Sequence, residues 1–198
     1  MKKRVFIFGG SYFIGKRTIE MVRERNLNWE LTIANRGTVM EPTIRIDRDD
    51  MNSCRNSLRN AKFQNAPYDA VIDFSAYTPL QLQNIIPFLT TRLYCFISSG
   101  RASNPDPADT YGVNKQACEW LISNHFPQYL IIRPGYVVGE GDYSERFIKH
   151  PTGNIYSFKD RPELVNQCIH VDMLANIIIN MVLIQKTGVM SLGYYAHS

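Results

Sequence analysis

Apolar positions along this chain change their period several times, and each change marks an element. Val5-Phe6-Ile7-Phe8 is an unbroken apolar run of the length of one strand buried on both faces. Gly9 and Gly10 interrupt it, and from there the period becomes helical, with Ile14, Thr18, Met21, Val22 and Arg25 on one face of a helix that runs to Arg25. Residues 30–34 read as a second strand and 43–46 as a third, ending at Asp47. Residues 51–62 read as a polar helix anchored by Leu58, and 70–74 as a near-continuous apolar strand. Pro79 opens a further helix that Pro87 kinks or ends, and 93–97 form the next strand. A helix starting near Asp109 or Thr110 carries two faces. Val113, Ala117, Trp120 and Leu121 share one; Tyr111, Lys115, Cys118 and Ile122 share the other. After a buried strand at 129–132, residues 140–166 turn polar and are punctuated by glycine and proline with little periodicity. Val171, Leu174, Ala175, Ile178, Met181 and Val182 mark a last amphipathic helix, and 189–192 a last strand.

Strands alternating with helices predict an α/β fold: a Rossmann-like, doubly wound parallel sheet with helices on both faces and a small C-terminal appendage. Residues 1–139 are expected to form the dinucleotide-binding domain. Residues 140–198 are expected to supply a reduced substrate segment, with a helix and strand that return to that domain. Ligands of such sheets bind at the carboxyl ends of the strands, where Gly9, Asn35, Asp47, Ser75 and Ser99 all fall.

Composition narrows the class. The chain has 198 residues, is 44% hydrophobic, and has no apolar run of bilayer-spanning length. Met1-Lys2-Lys3-Arg4 imitates the basic start of a secretory signal, but the apolar run that follows breaks at Gly9-Gly10, so a cytoplasmic protein with no membrane partner is expected. Cys54, Cys95, Cys118 and Cys168 show no paired spacing and read as reduced, mostly buried thiols. His125, His150, His170 and His197 are too scattered for a metal site, and His170 reads as a structural hydrogen bonder. The net charge of +4 comes from short or mixed clusters, which disfavours a nucleic-acid groove and suits an anionic small molecule.

Two stretches carry chemistry. The first is Gly9-Gly10-Ser11-Tyr12-Phe13-Ile14-Gly15, a strand-turn-helix junction in which unpaired first-turn amides and the positive end of the helix dipole favour a pyrophosphate. Gly9, position 12 and Gly15 keep a G-x-x-G-x-x-G spacing, with Tyr12 in place of the middle glycine. A ring there has to point away from the phosphates or narrow the cradle. The bland reading is a structural turn alone. About twenty residues on from Gly15, where an acid would usually bind the ribose, stand Asn35 and Arg36, a neutral hydrogen bonder and a guanidinium suited to a 2′-phosphate. NADP is therefore expected over NAD. Asp47 is placed to meet the adenine edge.

The second stretch is Tyr111-x-x-x-Lys115 behind Ser99. Tyrosine, with a reference pKa of about 10, becomes a base near neutrality only beside positive charge, which Lys115 one turn away supplies. Ser99 at a strand end is placed to hold a reacting oxygen against Tyr111.

With these motifs in order, the chain resembles the extended short-chain dehydrogenase/reductase family, the NAD(P)-dependent epimerases and dehydratases of nucleotide sugars, from Val5 to about Leu192. Residues 9–15 match its cofactor loop, and Asp73-Phe74-Ser75-Ala76 sits where its members line the cofactor. Phe96-Ile97-Ser98-Ser99 and Tyr111-Gly112-Val113-Asn114-Lys115 match its catalytic strand and helix. Arg133-Pro134-Gly135-Tyr136-Val137-Val138-Gly139 and Ile169-His170-Val171-Asp172 look like its later segments. The resemblance implies that Tyr111 is the acid/base, with Ser99 beside it, and that Lys115 lowers the tyrosine pKa and holds the nicotinamide ribose. It also implies that Ser11, Phe13, Ile14, Ser75 and Ala76 line the cofactor. The implied activity is hydride transfer between a sugar-like alcohol or ketone, nucleotide-linked, and the nicotinamide. The chain departs from the pattern at Tyr12, at Gly100 after the serine, and in the short stretch beyond Val137, where Arg146 is the candidate for an anionic substrate group. The rival reading is a cofactor-binding redox sensor or RNA-associated protein without turnover. A homodimer is left open.

Overall fold

A computed structural model describes residues 2–38, 42–60, 67–142, 144, 147–149, 156–158 and 167–193. Seven parallel strands form the central sheet: β1 (Lys3–Phe8), β2 (Trp29–Asn35), β3 (Ile44–Arg45), β4 (Ala70–Asp73), β5 (Tyr94–Ile97), β6 (Tyr129–Pro134) and a last one, β11 (Gly188–Leu192). Their order across the sheet is β11-β6-β5-β4-β1-β2-β3. The chain runs outward from β1 to β3, then crosses back to β4 on the other side of β1. That reversal opens a crevice at the carboxyl ends of β1 and β4, where ligands of open α/β sheets settle.

Burial on both faces explains the apolar runs. In β1, Val5, Ile7, Phe6 and Phe8 are all fully buried, and the two-residue period of a strand sends them to opposite cores. Phe6 and Phe8 join Cys54 and Leu58 of α2 (Met51–Asn60), Leu82 of α3 (Pro79–Gln83), and Cys118 and Ile122 of α4 (Thr110–His125). Val5 and Ile7 join Ile19 and Val22 of α1 (Phe13–Glu24) and Leu174, Ile178 and Val182 of α5 (Val171–Leu183). Each such side chain contributes roughly 1.5–3 kcal/mol when withdrawn from water.

Local chemistry sets the boundaries. Thr78 caps α3 by accepting from the Gln81 amide, and Pro79 occupies its first turn. Pro87 lies in a separate 3₁₀ turn, Ile86–Phe88, so the expected kink is a break. His170 caps α5, its Nδ1 accepting from the Asp172 amide at 3.3 Å. Arg17 of α1 donates to Asp172, and Arg25 donates to Asn176 and Asn180, which joins the two helices beneath the sheet.

The structure settles one open point of the sequence reading and changes another. Of the two faces of α4, the one carrying Lys115, Cys118 and Ile122 packs inward, while Val113 and Trp120 are 38% and 65% exposed. Helical spacing alone does not say which of two mixed faces meets the sheet. The stretch from 140 to 166, read as lacking period, holds an antiparallel pair, β8 (Phe147–Lys149) with β9 (Tyr156–Phe158). Beside it β7 (Tyr136–Val138) pairs in parallel with β10 (Cys168–His170). Strands of three residues are too short to show a period. Arg146, His150 and His197 lie outside the described residues.

Candidate functional site

The junction of β1 and α1 is shaped by backbone. Gly9 and Gly10 take φ of +93° and +91°, which side-chain-bearing residues rarely adopt. At Gly15 an added Cβ would lie 2.8 Å from the Gly10 backbone, so only glycine lets α1 approach the loop this closely. Tyr12 is the N-cap of α1 and makes no side-chain cap, which leaves first-turn amides for a ligand. Its ring is 56% exposed: the substitution of tyrosine for glycine is accommodated by turning outward. Phe13 has φ of +37°, a strained conformation for a phenylalanine that concentrates at binding loops.

A cavity of about 290 Å³ opens over this junction, lined by Gly9 to Gly15, Asn35, Arg36, Asp47, Arg48 and Ser75, among others. Ala76, expected to line the cofactor, is instead fully buried in the core with Phe6 and Phe8 and is not part of the cavity wall, because the turn after β4 directs it inward. Among the described residues, only Asn35 Nδ2 and Arg48 Nε are buried side-chain polar atoms without a hydrogen-bond partner, and both residues line this cavity. Unpaired buried donors are costly. Two such atoms in residues that line one cleft beside a glycine cradle fit a site for a polar group such as a dinucleotide. Asn35 spends its Oδ1 on the Gly37 amide at 2.6 Å, which closes the turn after β2 and leaves only the amide donor for a ligand.

Arg48 had no motif to reveal it. It is 7% exposed and makes a two-pronged pair with Asp73, Nη1 to Oδ1 at 2.8 Å and Nη2 to Oδ2 at 2.9 Å. Tyr94 of β5 donates to Asp73 Oδ2 at 2.7 Å. Burial pushes the Asp73 pKa upward, but the Arg48 charge and these hydrogen bonds outweigh it and hold the carboxyl below its ordinary range. Tyr94 moves the other way, since burial and the Asp73 charge keep its phenol protonated.

A second cavity, about 360 Å³, adjoins the first and shares Phe13, Ile14, Phe74, Tyr77 and Ile97 with it. Ser99, Tyr111 and Lys115 line this one, with Arg101, Tyr136 and Asp142. Lys115 is 2% exposed and donates to the Ile97 carbonyl at 3.0 Å. Its ammonium faces the rings of Phe96, Tyr77 and Tyr111 at 4.6, 5.1 and 5.9 Å. Burial pulls its pKa down to about 8, against the opposing charge of Asp73. Ser99 caps the 3₁₀ turn Gly100–Ala102, its Oγ accepting from the Arg101 amide at 3.3 Å. Ser98 is committed elsewhere: its Oγ donates to Glu119, which also holds Arg133 through a partly buried ion pair. Of the two neighbouring serines, only Ser99 keeps its hydroxyl out of that network. Glu119, Tyr77 and Arg101 were missed from sequence, because their importance comes from where separate elements meet. Among the described residues no cluster of His, Cys, Asp or Glu could hold a metal ion, and no helix is long and apolar enough to cross a membrane.

No sequence-family model matches the chain, and no curated protein sequence matches it. Solved structures do. A UDP-glucose 4-epimerase of Thermus thermophilus in complex with NAD superimposes with a TM-score of 0.68 at 17% identity, over 96% of this chain and 77% of that one. A UDP-N-acetylglucosamine 4-epimerase of Bacillus cereus gives 0.61 at 16% identity, over 96% and 78%. A short-chain dehydrogenase/reductase of Veillonella parvula in complex with NADP gives 0.62 at 10% identity, over 92% and 88%. A parallel sheet reversing at β1 and β4, with these likenesses across nearly the whole chain, establishes the Rossmann-like fold that the epimerases and short-chain dehydrogenases/reductases share.

Proposed function

We propose that the chain is an NAD(P)-dependent oxidoreductase or epimerase acting on a sugar-like alcohol or ketone. The observation that carries this reading is the shared wall of the two cavities, which sets a glycine cradle beside a tyrosine-lysine pocket. Epimerases of UDP-linked sugars among the similar structures support a nucleotide-linked substrate, and the reading places the protein in the cytoplasm.

Gly9 to Gly15 would hold the pyrophosphate at the N-terminus of α1, with Ser75 opposite. Asn35 Nδ2 and Arg36 would meet the adenosine ribose, where a guanidinium favours NADP, and Asp47 the adenine edge. A bound nicotinamide supplies a hydride acceptor or donor. Lys115, drawn down to a pKa of about 8 by burial, still carries its proton at neutral pH, and its ammonium 5.9 Å from the Tyr111 ring is the nearby positive charge that would favour a phenolate there. Tyr111 takes the proton from a substrate hydroxyl, or returns it, while Ser99 orients the same oxygen. The rings of Phe13, Phe74 and Tyr77 line the junction of the two cavities.

Fluorescence titration with NADPH and NADH, followed by a turnover screen over sugar nucleotides and free sugars, tests the proposal. Micromolar binding with turnover is expected. Binding without turnover, accompanied by salt-dependent RNA binding, would instead make the chain a sensor or RNA-associated protein of the same fold.

A further inference from the structure

The most connected polar group in the core is a carboxylate that serves no step described above. Asp73 ends β4 with no exposure to solvent. Its Oδ1 accepts from the amides of Ser75 and Ala76 at 2.9 and 3.0 Å, so it shapes the turn that leaves the strand. Arg48 grips both of its oxygens, and Arg48 Nη1 also reaches Ser75 Oγ at 3.1 Å.

Arg48 is anchored in turn. Its guanidinium lies over the Phe8 ring of β1 at 4.7 Å, and its carbonyl accepts from Asn84 Nδ2 at 2.9 Å. One side chain from the loop after β3 thus ties together the carboxyl ends of β1 and β4 and, through Asp73 and Tyr94, the start of β5. Ser75 is the contact that matters. A Cβ on Gly9 would stand 3.3 Å from both Phe74 Cβ and Ser75 Cβ and 3.5 Å from Ser75 Oγ, so the backbone of the turn that Asp73 shapes sets the room available at the first glycine of the cradle.

A buried ion pair is a poor source of net stability, because desolvation offsets most of its attraction, and a well-packed apolar replacement often does as well. What such a pair does supply is fixed geometry. We propose that Arg48 is a positioning residue of the dinucleotide site, acting through Asp73 and Ser75 to hold the 73–76 turn against the Gly9–Gly15 loop. This rests on the cofactor reading above, but the geometry it claims exists without a cofactor.

The test uses the full chain with Arg48→Met and Asp73→Asn combined, so that neither charge is left buried alone and the side-chain carbonyl introduced at position 73 still accepts from the turn amides. Hydrogen exchange followed by mass spectrometry is read on the cofactor-free protein, and NADPH affinity by fluorescence. Protection is expected to fall at least tenfold in peptides covering 9–15 and 73–77 while α5 keeps its parental protection, and NADPH affinity to drop at least tenfold. Arg48→Lys, which keeps the charge but loses the two-pronged grip, is expected to restore parental melting temperature and only part of the affinity. Unchanged protection in both segments overturns the proposal, as does a uniform loss across the molecule, the mark of a merely structural pair. Should the parent bind neither dinucleotide, the cofactor reading fails, and the exchange result still decides the role of Arg48.

Discussion

The floor of the first cavity includes a backbone cradle at Gly9, Gly10 and Gly15, whereas the second has no such cradle and brings together the side chains of Ser99, Tyr111, Lys115 and Arg101. The two differ in what they tolerate. A backbone cradle depends on the absence of atoms: Gly15 leaves no space for a methyl group, yet Tyr12 on the rim swings a whole ring into solvent without closing the cleft. A side-chain pocket depends on groups being present and held at an energetic cost. Lys115 is buried among three rings with a backbone carbonyl as its hydrogen-bond acceptor. The cradle works by its shape, and the pocket around Lys115 by a charge withdrawn from water.

Substitutions on each side can break this contrast. The largest effect is expected at Tyr111. Tyr111→Phe should lower turnover by about a hundredfold to ten-thousandfold while cofactor affinity stays near parental, since only the proton carrier is lost. Parental turnover on a verified substrate would remove Tyr111 from the mechanism.

Next in size is Gly15→Val, whose Cβ and methyl groups would press into the Gly10 backbone and the Phe74 ring. Overpacking of this kind costs about 1–3 kcal/mol, so the domain should remain folded while dinucleotide binding is lost. Calorimetry that finds parental affinity would show that the glycines serve the turn alone.

Lys115→Met sharpens the contrast because stability and function should part. The folded-state pKa of about 8 lies below the ordinary 10.5, so between those values the unfolded chain binds the proton more tightly, and stability contributed by this group rises with pH. Below about pH 8 the full cost of a buried ammonium is present, up to roughly 3 kcal/mol. Removing it should raise the melting temperature of the cofactor-free protein at pH 7 by several degrees and flatten the rise above pH 8. Turnover and cofactor affinity should both fall. A lower melting temperature at pH 7 would mean that the Ile97 carbonyl and the surrounding rings more than offset desolvation.

Smaller effects belong to the rim of the cradle. Arg36→Ala should narrow a preference for NADPH over NADH by about 1–3 kcal/mol, the range of a charge-assisted contact; equal affinities in the parent would refute the assignment. Tyr12→Gly should change dinucleotide affinity by less than about threefold, because the ring already points outward. A larger loss would give Tyr12 a direct contact.

Legibility in the sequence follows the same division. The apolar run Val5–Phe8, the glycine spacing after it and the alternation of strands with helices are local or periodic, and they were enough for a doubly wound parallel sheet with its ligand crevice at the strand ends. Tyr111 and Lys115 were legible as a pair because four residues make one helical turn. Ser99, from a neighbouring strand end, joins them in one cavity. Arg48 and Asp73 stand 25 positions apart and meet only because the chain crosses from the edge of the sheet back to β4. Ser99 was favoured over its neighbour Ser98 by the resemblance alone, and it is the packing of α4, bringing Glu119 against Ser98, that gives the two hydroxyls different partners. Sequence determined the elements and the chemistry each carries, since periodicity and turn geometry act over a few residues. Tertiary structure decided which face of α4 is buried, which serine is tied up and which charges are withdrawn from water, because burial depends on what other segments cover.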